Sequence, residues 1–140
     1  MDIVRRKIGS HEVEIEGDVM HVRFRGPYRP DDAREILTLS DQLFREHGTM
    51  FSLADLAYAQ QPGPETRRVL ATWAYLGEYV GIMYGASVAH RAVIRLVASA
   101  HRLLRPARTP TPLIEICATE AEARQLVDRR RRLHSAPSRS

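Results

Sequence analysis

The sequence predicts one α/β domain: a mixed, mostly parallel five-stranded sheet covered by four helices, in the order β-β-α-β-α-β-α-β-α. Three observations predict it. The chain has 140 residues, the size of a single domain. Apolar residues make up 44% and charged residues 27%, which places it among globular and not disordered chains. Its apolar pattern opens with two period-two runs and then alternates short apolar runs with 3.6-residue periodicity.

The elements follow in order. Residues 1–10 are polar and aperiodic and are read as a flexible arm. From residue 11, Val13 and Ile15 alternate with Glu12, Glu14 and Glu16, a half-buried strand. Gly17-Asp18 is turn chemistry, and alternation resumes with Met20, Val22 and Phe24 opposite Val19, His21, Arg23 and Arg25, which makes a hairpin. Gly26-Pro27 ends it. Pro30-Asp31-Asp32 opens a first helix, with Asp32 and Glu35 at capping-box spacing. Ala33, Ile36, Leu37, Ser40, Leu43 and Phe44 form its apolar face, and Gly48 closes it.

Met50–Leu56 reads as a buried strand, followed by a loop over Tyr58–Pro64. A second helix, from Pro64 to about Gly77, carries Val69, Trp73 and Leu76 on one face, so Trp73 is expected in the core. Tyr79–Tyr84 is another buried strand. A third helix, from about Ser87 to Leu104, is strongly amphipathic. Its apolar side holds Ala89, Val93, Leu96, Val97, Ala100, Leu103 and Leu104. Pro106, Pro110 and Pro112 mark a linker before the last strand, Leu113–Cys117. Thr119 and Glu122 form a capping box at the start of a final helix, whose C-terminal end holds Arg129 to Arg132. The domain is expected to span residues 11–133, with 134–140 a disordered tail.

Charge divides the chain. Residues 1–79 carry 10 basic and 13 acidic side chains, residues 80–140 carry 11 and 4. On the third helix Arg91, Arg95, Arg102 and Arg105 fall within an arc of about 80° at 100° per residue. This stripe is either a solvated face or a docking surface for an acidic protein partner or an anionic membrane surface. Nucleic acid is the least favoured partner, since no DNA- or RNA-binding motif interleaves aromatic residues with the arginines. A window through 79–104 does not span a membrane, because Arg91 and Arg95 would lie in its centre. Met1 is followed at once by charged residues with no apolar stretch, so a cytoplasmic location is expected. A homodimer is open.

Few residues suggest chemistry. Gly85-Ala86-Ser87-Val88-Ala89 has the outline of a degraded nucleophile elbow, which would make Ser87 a hydrolase nucleophile; the simpler reading is a helix cap. His90 and His101 are eleven apart, about 16 Å along a helix, too far to share a metal, and are read as flank histidines. Cys117, the single cysteine, supports no disulfide or zinc framework and reads as an inert strand residue. Asp55 ends a predicted strand, where open α/β sheets bind ligands, so Asp55, Tyr58, Gln60 and Gln61 are candidate binding residues. Alternatively, Asp55 only hydrogen-bonds its own loop. No phosphate-loop or cofactor motif is present, and no cofactor or metal is expected.

The hairpin around Gly17-Asp18, Gly26-Pro27 before the first helix, the strand ending Leu53-Ala54-Asp55 and the junction Ala118-Thr119-Glu120-Ala121-Glu122-Ala123 resemble the STAS-like superfamily. This superfamily includes the anti-sigma factor antagonists and is related in fold to SEC14 lipid-binding proteins. The likeness covers about residues 11–127 and is nearest to small stand-alone bacterial members. It implies a non-enzymatic protein-interaction or regulatory module. Where such antagonists carry a phosphorylatable Asp-Ser-Ser-Gly-like turn, this chain has Asp55-Leu56-Ala57-Tyr58, so that switch is not expected. The contact surface would be the loop Tyr58–Pro64 with the start of the second helix, and the Arg91, Arg95 and Arg102 stripe. The alternative is a carrier or sensor of a small lipophilic ligand, or a protein that binds a membrane surface.

Overall fold

The computed structural model describes residues 2–104 and 112–135. Six strands form one sheet in sequential order: β1 (Val4–Ile8), β2 (His11–Glu16), β3 (Val19–Gly26), β4 (Thr49–Ala59), β5 (Glu78–Tyr84) and β6 (Leu113–Cys117). The helices are α1 (Pro30–His47), α2 (Pro64–Ala71), α3 (Val88–Leu104) and α4 (Glu120–Ser135).

The α/β class is as the sequence predicts, but the sheet has six strands and not five. The extra strand is β1, where a flexible arm was expected. It pairs antiparallel with β2, Val4 opposite Ile15 and Ile8 opposite His11. Four of its five residues are exposed, and only Ile8 reaches the core. An edge strand covered with Arg5, Arg6 and Lys7 resists pairing with other chains, and the same charges hide its periodicity from a sequence reading. The sheet is mixed: β1–β2 and β2–β3 are antiparallel, the other three pairings parallel. Gly17, at φ 61°, supplies the left-handed residue between β2 and β3.

Alternation along the strands splits the core into two. Met20, Val22 and Met50 face α1 and pack on Ile36, Leu39, Leu43 and Phe44. Phe51, Leu53, Val80, Ile82 and Tyr84 face the other way and pack on Ala123 and Val127 of α4. The connections carrying α1, α2 and α3 cover the first face, and α4 returns over the second.

Several local expectations shift. Asp32 acts inside α1, not as its cap: Arg29 is the N-cap, and its N–H donates to Asp32 Oδ2 at 3.2 Å. The Gly48 N–H closes that helix by donating to Phe44 O. β4 runs through Tyr58 and Ala59, which pair with Arg25 and Gly26 past an irregularity, so the loop begins later than expected. Helix α2 ends at Ala71 and not near Gly77. Trp73 therefore lies beyond it, half-buried, where its Nε1–H donates to Asp41 Oδ1 of α1 at 3.1 Å. Leu76 is exposed. The expected linker prolines Pro106 and Pro110 fall outside the described residues, as does the tail from 136; 134–135 continue the backbone of α4.

Candidate functional site

Helix α3 is set differently from its expected orientation. Leu96 and Leu103 are 58% and 86% exposed, although the apolar face was expected to pack through them. The inward side is His90, Val93, Ile94, Val97, Ala98 and His101. This is about a quarter turn from the expected face. His90 and His101 are correspondingly buried, not exposed on a flank. Eleven residues advance a helix by just over three full turns, so the pair sharing one line was already visible in the sequence.

Between this side of α3 and the sheet lies a cavity of about 180 Å³. Its floor includes Ala54, Tyr79, Met83 and Ile114; Ile36, Leu37 and Ser40 of α1 wall one side. Tyr28, Gln60 and Pro62 line it from the loops. At the α3 C-terminal end Trp73, Tyr75 and Tyr79 cluster with their rings tilted to one another, ring centroids 4.3 Å apart for Trp73–Tyr75 and 4.7 Å for Tyr75–Tyr79. The His101 ring meets Tyr75 edge-on at 4.6 Å. Burial pushes the phenols of Tyr75 and Tyr79 well above their ordinary range, so both stay protonated. No described lining residue is a carboxylate, lysine or arginine.

Gly81 makes room for this cluster. A Cβ there would lie 2.7 Å from Cε1 of Tyr79 and 3.1 Å from Cδ1 of Ile114. The glycine lets the Tyr79 ring lie directly on the strand, which explains a glycine inside a parallel sheet.

The opposite face of the sheet carries a closed polar network. The neutral state of His21 follows from its surroundings: burial, with the Arg23 charge adding, pushes it below its ordinary value. The Tyr84 hydroxyl donates to Glu120 Oε1 at 3.1 Å, so His21 Nε2 donates to the Tyr84 oxygen at 2.6 Å. His21 Nδ1 is then free to accept from Arg124 Nη2 at 3.4 Å. Burial opposes the Glu120 carboxylate, but hydrogen bonds from Arg124, Tyr84 and Arg23 hold it below the usual carboxylate range. These pairs tie α4 to β3 and β5.

The structure separates the residues expected to form a site. Asp55 is buried on the α4 side; its Oδ1 accepts from the Ala57 N–H at 3.0 Å and its Oδ2 faces Arg23 at 3.5 Å. It thus hydrogen-bonds its own turn, the simpler of its two readings. Tyr58 is 71% exposed and lies under the Arg25 guanidinium. Gln60 lines the cavity on the other face, and Gln61 is exposed. Arg91, Arg95 and Arg102 are exposed along α3. Ser87 caps that helix, its Oγ accepting from the His90 N–H at 3.1 Å. Cys117 is half-buried, and burial raises its thiol. Among the described residues no helix is long and apolar enough to cross a membrane.

No family model and no curated protein matches the chain.

Proposed function

We propose that the chain is a carrier or sensor of a small lipophilic ligand held between the sheet and α3. The observation that carries this reading is the uncharged, aromatic-lined cavity of about 180 Å³. Specific ligand sites are mostly apolar concavities with a few polar groups, and here Ser40, Ser52 and Gln60 are among the polar residues of a mainly apolar and aromatic lining. An apolar cavity of about 150 Å³ holds a benzene ring, so this one suits a one- or two-ring molecule. Native mass spectrometry of the purified chain tests the reading, together with binding of naphthalene. Val97→Phe, which fills the cavity from α3, should abolish binding. A wild-type chain that binds no apolar ring compound would overturn it.

A second observation favours contact of α3 with an anionic membrane surface. Beside Arg91, Arg95 and Arg102 the helix exposes Val88, Leu96 and Leu103, and it carries no acidic residue. Arginines beside exposed aliphatic side chains suit an interface of anionic headgroups and acyl chains. On this reading the helix roofing the cavity also faces the lipid source. The STAS-like regulatory module expected from the sequence would use the loop Tyr58–Pro64 with the start of α2, and shares with this reading only the Arg91, Arg95 and Arg102 stripe.

A further inference from the structure

We infer that the cavity selects a neutral ring compound carrying an acceptor oxygen, such as a ketone, bound by the phenol hydroxyls of Tyr28 and Tyr75. The inference rests on the ligand-binding reading above and names the chemistry of its ligand. Both residues line the cavity. Neither hydroxyl has a hydrogen-bond partner among the described residues. Neither oxygen is sealed off by its neighbours, in contrast to the spare nitrogens of His90 and His101. Burial, with the neighbouring Tyr79 phenol adding, pushes both phenols well above their ordinary range. Each therefore keeps its proton at neutral pH and stands as a donor, crowded by protein yet still open to a small molecule. The open space these residues share is the cavity. A buried donor left without an acceptor is costly, and native structures rarely retain one without a reason. A ligand oxygen supplies the acceptor, while a pure hydrocarbon cannot.

Ring contacts hold both phenols in place without using their hydroxyls. The Tyr28 ring lies 4.8 Å from Phe24 and meets His11 edge-on at 5.4 Å. The Tyr75 ring is held by Trp73, Tyr79 and His101. Other polar groups of the lining are already committed: the Ser40 hydroxyl donates to the Ile36 carbonyl at 3.0 Å, and His101 Nε2 donates to the Trp73 carbonyl at 2.7 Å. Charge narrows the class further. No lysine or arginine stands on the described lining, so a carboxylate would lose its hydration with no cation to balance it. The acceptor is therefore a neutral oxygen, and the aromatic walls favour a flat ring system for the ligand body.

The test compares 1-tetralone with tetralin, which has the same two rings with a methylene in place of the carbonyl, and with 2-naphthoate. Binding is followed by calorimetric titration near pH 7 on the full chain and on the double variant Tyr28→Phe with Tyr75→Phe, which keeps both rings. The double variant should bind 1-tetralone about tenfold more weakly than wild type, the scale of one buried hydrogen bond, and tetralin as before. Wild type should bind 2-naphthoate more weakly than 1-tetralone. The infrared carbonyl stretch of 1-tetralone bound to wild type should lie below its value in hexane, and if the double variant fails to fold, this stretch decides. An unshifted stretch, an equal change for 1-tetralone and tetralin in the double variant, or tightest binding of 2-naphthoate overturns the acceptor inference and leaves the cavity reading standing. Binding of none of the three overturns the cavity reading itself.

Discussion

Gly81→Ala is the sharpest perturbation of the cavity because its consequence follows from one distance. The added Cβ would sit 2.7 Å from Cε1 of Tyr79, against a preferred carbon–carbon separation of about 3.5–4.0 Å. The Tyr79 ring must therefore move by about 1 Å. Phe44, Trp73 and Tyr75 hold it on three sides, so the open direction is the cavity. Overpacking of this kind costs about 1–3 kcal/mol. Reduced freedom of the unfolded chain returns about 0.4–1 kcal/mol. A net loss of about 1–2 kcal/mol should lower the melting temperature by several degrees, followed by circular dichroism. Naphthalene binding should weaken at least tenfold as the ring occupies ligand space. An alanine variant that melts with the wild type and binds naphthalene equally would refute both the close contact and its link to the cavity.

Stability should fall in acid in two stages. His21 and His11 sit below the ordinary 6.5, each mainly through burial. The unfolded chain therefore binds more protons there, and stability present above pH 6.5 is lost as pH falls through the folded-state values. Glu120, held below its ordinary 4.5, adds a further loss below that pH. Urea midpoints at pH 8, 6 and 4 check the order, and a midpoint that rises on acidification contradicts it. For α3, Arg91→Glu with Arg95→Glu should leave the melting temperature nearly unchanged, because both side chains are exposed. The double variant should lose binding to phosphatidylserine vesicles, and wild-type binding should weaken with salt. Salt-independent binding, or a double variant that binds normally, would make the stripe a solvated face.

The sequence by itself determined what depends on neighbours along the chain. The hairpin at Gly17-Asp18, the cap at Gly48, the Ser87 and Thr119 caps and the strand Leu113–Cys117 all rest on local turn chemistry or short-range pattern. Only the tertiary structure decided how those pieces face one another. β1 becomes a strand because β2 offers an edge, although Arg5, Arg6 and Lys7 carry no apolar signal. Helix α2 stops at Ala71 because Trp73 is worth more against Asp41 and Phe44 than in another helical turn. Most decisive is α3. Its apolar residues cover well over half its circumference, so several rotations bury similar apolar area and the periodicity alone cannot choose among them. The contact with α2 and the hydrogen bond from His101 to the Trp73 carbonyl select one. That rotation turns two histidines inward, leaves Leu96 and Leu103 outside, and opens the cavity that carries the proposed function.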